Sequence, residues 1–298
     1  MLPSFLIIGA QKSGTTTLFR DLLTQPGVYF PYNKEPTALA HDTVLTPEGL
    51  AEYEALFAGS KPSDVRGDAS TGYTKIPRFT GVPARASKVL GPDIQLLYIL
   101  REPISRIVSH HHHMITNQPG PANVEDFIEA DHTAIPFSKY AFQARAWLEH
   151  FPLERLHVLL LEEYVKNRPS EIERLGAILG YDPKPDRVDP KSKFNTAQDR
   201  SLDSGFIMKL RETWPYQRLR PLLPVATRDR LRRMLTAKAP PPPPPPSEQC
   251  VERLLTELED DQRELAEIIG RPYPIWDPDM VRTRFEARRR EHAAAGSN

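Results

Sequence analysis

The chain is expected to fold as a three-layer α/β domain on a parallel sheet, and three observations predict it. A continuous apolar run, Phe5-Leu6-Ile7-Ile8, leads into a loop bounded by Gly9 and Gly14 and then into helical spacing at Leu18, Leu22 and Leu23. Strand, glycine loop and helix in that order open a βαβ unit. Two further apolar runs, Ile94 to Leu100 and Leu156 to Leu161, have the pattern of strands covered on both faces. Helical segments separate these runs, and alternation of strand and helix builds a doubly wound sheet whose ligands bind beyond the carboxyl ends of the strands.

Each element has a local reason. Ile94 to Leu100 ends at Arg101-Glu102-Pro103, and a helix is predicted from about Ile104 because proline suits a first helical turn. From Phe137 to Phe151 the residues Tyr140, Ala144, Trp147, Leu148 and Phe151 fall on one stripe, which predicts an amphipathic helix. Ser170 to Leu179 is a helix stopped by Gly180. Lys184 to Arg200 is polar and reads as a long loop. Pro240 to Pro246 is an unbroken proline run, a stiff connection or a docking site for a weakly bound proline-recognising partner. Ser247 caps a helix that runs to Ile269, where Gly270 and Pro272 stop it. A single domain spanning 1–282 follows, with 247–270 as its C-terminal helix and 283–298 as a frayed tail.

Bulk properties narrow the function classes. The 298 residues carry 39 basic and 39 acidic side chains, so no general affinity for nucleic acid or an anionic membrane is expected. Cys250 stands alone, which rules out an internal disulfide and a cysteine-based metal site and fits a reducing, cytoplasmic setting. The N-terminal apolar residues lack a basic flank and read as a strand rather than a signal peptide. No stretch approaches the roughly 20 apolar residues of a membrane span.

Two constellations carry chemistry. In Gly9-Ala10-Gln11-Lys12-Ser13-Gly14-Thr15-Thr16-Thr17, backbone N–H groups at a helix N-terminus and several hydroxyls form an anion site. It is close to a P-loop, but Thr15 stands where the nucleotide-triphosphate motif needs lysine, and the lysine lies inside the loop at position 12. The second is Leu100-Arg101-Glu102-Pro103-Ile104-Ser105-Arg106-Ile107-Val108-Ser109, again directly after a strand, where Arg101 and Ser109 suit a second phosphate.

Together these segments resemble the PAPS-dependent sulfotransferases, in the branch of the heparan sulfate N- and O-sulfotransferases and their bacterial relatives. The resemblance implies that the first loop (Gln11, Lys12, Ser13, Gly14, Thr15, Thr16, Thr17) binds the 5′-phosphosulfate of 3′-phosphoadenosine 5′-phosphosulfate (PAPS), and that Arg101 and Ser109 bind its 3′-phosphate. Asn33-Lys34-Glu35-Pro36 is similar to the family's acidic motif, which makes Glu35 the implied catalytic base, with Lys12 stabilising charge on the departing phosphate oxygen. Gly67-Asp68-Ala69-Ser70-Thr71-Gly72-Tyr73 resembles another family segment, with Asp68 in place of the usual glutamate and Thr71 in place of the usual proline. Thr37-Ala38-Leu39 replaces a His/Phe-rich stretch. Lys193, in Lys191-Ser192-Lys193-Phe194-Asn195, is implied as a further phosphosulfate contact.

The implied reaction is in-line transfer of a sulfuryl group to a hydroxyl or amine of a small-molecule, glycan or lipid acceptor, without a metal. The run His110 to His113 does not read as a metal site, because only His110 and His113 share a helix face. His110 suits a structural or acceptor-binding role, and His41 is the second-choice base. The rival readings are a P-loop kinase of a small metabolite, which Thr15 opposes, and a non-catalytic nucleotide-binding interaction protein.

Overall fold

The computed structural model describes residues 1–31, 34–117, 120–190, 201–202, 237–238 and 243–296. In chain order the elements are β1 (Phe5–Gly9), α1 (Thr15–Leu23), β2 (Val28–Tyr29), α2 (Pro47–Ala55), β3 (Val65–Ala69), α3 (Val82–Leu90), β4 (Gln95–Leu100), α4 (Pro103–Asn117), α5 (Val124–Ala130), α6 (Tyr140–Leu148), β5 (Leu156–Leu160), α7 (Leu161–Tyr164) and α8 (Arg168–Leu179). They are followed by a two-residue antiparallel pair, β6 (Ser201–Leu202) and β7 (Ala237–Lys238), and by α9 (Glu248–Ile268) and α10 (Pro278–Gly296). No described helix is long and apolar enough to cross a membrane.

The main sheet has the order β2-β3-β1-β4-β5 and is parallel throughout, with β1 at its centre in register with both neighbours: Phe5 opposite Gly67 and opposite Gln95. Alternate residues of the central strands therefore face opposite layers. Phe5, Ile7, Leu97 and Ile99 pack with Leu18 and Leu22 of α1 and with Ile172, Leu175 and Leu179 of α8. Leu6, Ile8, Leu96, Tyr98 and Leu100 pack with Tyr53 of α2, Ala86 of α3, Tyr140, Ala144 and Trp147 of α6, and Leu265 of α9. These are the two outer layers of the expected fold. Leu18 and Leu22 are fully buried, worth about 1.5–3 kcal/mol each, and they pin α1 under the loop that precedes it.

A third cluster joins Ile104 and Ile107 of α4, Phe127 of α5, Cys250, Val251, Leu254 and Leu258 of α9, and Val281 and Phe285 of α10. The segment expected as a frayed tail from residue 283 is helix to Gly296 among the described residues. Val281 and Phe285 lie four apart and are 2% and 0% exposed, so burial of that stripe seats the first turns of the helix.

Other boundaries shift in smaller ways. The helix expected from Phe137 begins at Tyr140 after a 3-10 turn at Pro136–Ser138, and the one expected from Ser170 begins at Arg168. The Ser247 cap is as expected, its Oγ accepting from the Cys250 N–H at 3.1 Å. The loop from Lys184 contains a 3-10 turn at Pro185–Arg187; its continuation from residue 191, including Lys193, lies outside the described residues, as do Pro240 to Pro242.

Candidate functional site

The ends of β1, β3 and β4 point to the same edge of the sheet, and the predicted residues collect there. After β1 the chain is held to β4 by a bond from the Ala10 N–H to the Ile99 carbonyl at 2.8 Å. Gly14 then enters α1 with φ 95°. A Cβ there would lie 2.5 Å from Leu161 Cδ1, so backbone conformation and close packing both require glycine. Gly9 is confined too, since a Cβ would meet Thr74 Oγ1 at 2.0 Å. Between them the loop presents the half-buried Gln11 and Lys12, the buried Ser13 and Thr15, and the half-buried Thr16 and Thr17. Gln11 Oε1 is buried and makes no hydrogen bond among the described residues.

Arg101 leaves the end of β4 toward this loop, with Nη1 3.5 Å from the Lys12 carbonyl, and its own carbonyl accepts from Tyr140 Oη at 2.8 Å. Burial holds the guanidinium below its ordinary pKa, and the neighbouring Arg288 adds to this against Glu102 and Glu162. Glu102 caps α4 by accepting from the N–H groups of Ile104 at 2.7 Å and Ser105 at 2.8 Å. Ser109 follows Ser105 by one helical turn, so the second constellation lies along α4 beside the first.

Glu35 is placed by β3. Its N–H donates to the Ala69 carbonyl at 3.0 Å, and its carboxylate accepts from Lys34 Nζ at 2.9 Å and Thr71 Oγ1 at 3.2 Å. Among the described residues the non-glycine positions with positive φ are Lys12 at 68°, Glu35 at 64° and Thr37 at 56°. Two of these are the residues implied for catalysis, and left-handed backbone outside glycine concentrates at functional sites. Burial raises the Glu35 carboxyl, but Lys34, Lys75 and Thr71 outweigh it and hold the group below the usual carboxylate range. The carboxyl is therefore ionised at neutral pH, with its side chain 38% exposed.

Beneath it lies a group that the sequence marked only as a departure. Asp68 is fully buried and accepts from Tyr53 Oη at 2.8 Å, Tyr73 Oη at 2.6 Å and Ser70 Oγ at 2.7 Å. Ser70 Oγ in turn accepts the Thr37 N–H at 3.1 Å, and Tyr73 Oη lies 3.4 Å from the Leu39 N–H, so Asp68 anchors the segment that carries Glu35.

Sequence reasoning also missed Lys75, which no spacing distinguishes. Burial, then Arg78, Arg106 and Lys34, working against Glu35, push its ammonium down to about 8. Lys12, Lys75 and Arg106 all act on His110, whose pKa falls to about 2, chiefly through burial. His110 is therefore neutral and a very weak base. It stacks on Phe137 with ring centroids 6.3 Å apart and meets Phe127 edge-on at 5.4 Å, while His111 Nε2 lies 2.7 Å from the Pro121 carbonyl. His41 is exposed beyond the turn at Ala38–Ala40, edge-on to Phe79.

A cavity of about 390 Å³ opens beside the loop, lined by Gln11, Arg78, His110, Met114, Phe127 and Phe137 among others. That volume is in the range of small-molecule sites. The loop after β1, the segment after β4, the Glu35 carboxylate and a mixed cleft thus gather at one sheet edge.

Comparison with known proteins agrees with this geometry. The sulfotransferase domain family matches residues 64–203. Heparan sulfate glucosamine 3-O-sulfotransferase 3B1 of Mus musculus is 27% identical over 191 residues, 60% of this chain and 46% of that protein. The Homo sapiens 3B1 protein is 25% identical over 188 residues, again covering 60% and 46%. The chain spans about half the length of these relatives. A sulfotransferase from Alicyclobacillus acidocaldarius superimposes with a TM-score of 0.65 at 20% identity, over 93% of this chain and 99% of that one, and so shares the fold. With its glycine loop after β1, its arginine after β4 and its all-parallel sheet, the chain is similar in sequence and in fold to the sulfotransferases.

Proposed function

We propose that this chain transfers the sulfuryl group of PAPS to a hydroxyl or amine of an acceptor bound in the cleft beside Gln11 and His110. The observation that carries this reading is the meeting of two cationic segments, Gln11 to Thr17 and Arg101 to Ser109, at the ends of adjacent strands, with Arg101 reaching the backbone of Lys12. Two phosphate sites so placed suit a nucleotide bearing a 5′-phosphosulfate and a 3′-phosphate.

In the reaction, Glu35 accepts the proton of the attacking hydroxyl or amine. The acceptor atom bonds to sulfur as the bond from sulfur to the 5′-phosphate oxygen breaks in line. The electron pair leaves with adenosine 3′,5′-bisphosphate. Lys12 and the N-terminus of α1 stabilise the charge that grows on the departing oxygen, a role that needs positive groups fixed in advance. Lys34 keeps Glu35 ionised until the acceptor arrives.

The cleft favours a compact acceptor with an apolar or aromatic body, because Met114, Phe127 and Phe137 line it beside the polar Gln11 and Arg78. A glycan acceptor is the second reading, favoured by the names of the relatives.

The test begins with ligand-induced stabilisation. Adenosine 3′,5′-bisphosphate at about 100 times its Kd should stabilise the protein by roughly 2.7 kcal/mol, and ATP with magnesium at equal concentration should do far less. Equal shifts would remove the assignment. Transfer of labelled sulfuryl from PAPS to a panel of phenols, alcohols and amino sugars then separates the two acceptor readings.

A further inference from the structure

The corner that holds Arg101 receives a second cationic element from the far end of the chain. Helix α10 packs Val281 and Phe285 into the cluster containing Ile104 and Ile107, which fixes it against the first turns of α4. Arg284 sends Nη1 to 3.5 Å from Glu102 Oε2 and 3.3 Å from Ser105 Oγ, locating that turn of α10 directly over the α4 N-terminus. Arg288 stands one turn further along the same face, half-buried, its guanidinium carbon 5.4 Å from the Phe285 ring centroid. Burial, and then Arg284, hold the Arg288 guanidinium below its ordinary pKa against Glu102, consistent with its place on the face of α10 that packs on α4.

The carboxylates here are already committed. Glu102 is 1% exposed and its oxygens accept two backbone N–H groups. Glu162 takes the Glu102 N–H at 3.0 Å and Trp276 Nε1 at 3.1 Å. Glu291, which also acts on Arg288, is exposed, and its attraction is screened by water. Arg101, Arg284 and Arg288 outnumber Glu102 and Glu162 around the end of β4, and a guanidinium left in excess offers a planar fork of donors suited to an anion.

We infer that Arg288 is part of the site for the 3′-phosphate of PAPS, beside Arg101 and Ser109, and that Arg284 holds α10 in the position that delivers it. The inference rests on the PAPS reading. It makes the C-terminal helix a part of the cofactor site, so that a segment remote in sequence reads whether the ribose carries a 3′-phosphate.

Isothermal titration of the full chain with adenosine 3′,5′-bisphosphate and with adenosine 5′-phosphosulfate tests it, since the second ligand keeps the 5′ groups and lacks the 3′-phosphate. Arg288→Ala should weaken the bisphosphate by roughly 10–100-fold, the range for a charge-assisted contact, and leave adenosine 5′-phosphosulfate within about twofold. Arg288→Lys should recover part of the loss. Retained binding of adenosine 5′-phosphosulfate also shows that the variant is folded. Unchanged bisphosphate affinity, or equal weakening of both ligands, overturns the role of Arg288 while leaving the PAPS reading in place. A wild-type protein that does not prefer the bisphosphate removes the PAPS reading and the inference with it.

Discussion

Replacing Asp68 with asparagine tests whether the buried carboxylate positions the catalytic segment. The carboxylate accepts from Tyr53, Tyr73 and Ser70 with no solvent exposure, and burial raises its pKa against those bonds. Asparagine presents one oxygen and one NH2 group. If its oxygen faces the tyrosines, the NH2 meets a Ser70 hydroxyl that already accepts from Thr37; if it faces Ser70, the NH2 meets both tyrosines. Either orientation strands at least one buried donor, at about 1–3 kcal/mol, and converts the remaining bonds from charged to neutral, at about 1 kcal/mol each. Relief from burying a carboxylate offsets part of this. The expected loss is therefore about 2–4 kcal/mol, a fall in Tm on the order of 4–12 °C. Because Ser70 and Tyr73 contact the backbone at Thr37 and Leu39, the Glu35 segment should loosen as well, and kcat should fall while affinity for adenosine 3′,5′-bisphosphate stays within about threefold. Thermal melts, single-turnover sulfuryl transfer and calorimetry on one preparation give the three readouts. Wild-type Tm would refute the hydrogen-bond accounting. A parallel loss of cofactor affinity and rate would refute the positioning role.

Other outcomes follow from the same site. Glu35→Gln should slow the chemical step by roughly 10²–10⁴-fold in single-turnover assays while changing Tm little, because the Lys34 pair it breaks is partly exposed. Lys75 has a folded pKa of about 8 against 10.5 for the free group, so the folded state sheds that proton first. Its contribution to stability improves as pH rises through this window while the cleft loses a positive charge; bisphosphate affinity measured across the window should fall in the wild type and fall less in Lys75→Met. Arg168→Ala leaves Asp21 buried after losing bonds of 2.8 and 2.5 Å, and should destabilise the fold by about 3–5 kcal/mol in urea melts.

Much of the site was legible because its chemistry is local. Phe5 to Ile8 and Leu96 to Leu100 are apolar on both faces, the pattern of central strands in a parallel sheet, and Leu156 to Leu160 repeats it with His157 interposed at the sheet's edge. The loop from Gly9 to Thr17 declares itself by glycines that the backbone demands, and Arg101 by its place immediately after a strand. The resemblance carried by these residues supplied Glu35, and the left-handed backbone at Glu35 and Lys12 gives it a physical counterpart. Strand β3 was not legible. Val65-Arg66-Gly67-Asp68-Ala69 has no apolar run, and it is a strand because β1 offers it a ladder from more than 50 residues away.

Contacts remote in sequence also set the surroundings of Asp68, Lys75 and Arg288. Asp68 matters because Tyr53, Tyr73 and Ser70 converge on it, and Lys75 because burial beside other cations lowers its pKa. Helix α10 turns inward because Phe285 finds Ile104 and Ile107, which brings Arg288 to a strand end that lies nearly two hundred residues earlier in the chain. Hydrophobic pattern and backbone conformation act within a few residues, so the central strands and the glycine loop were written in the local sequence. Which charges share a cleft came from the folded chain, because desolvation and Coulomb interaction depend on distance in space and take no account of distance along the chain.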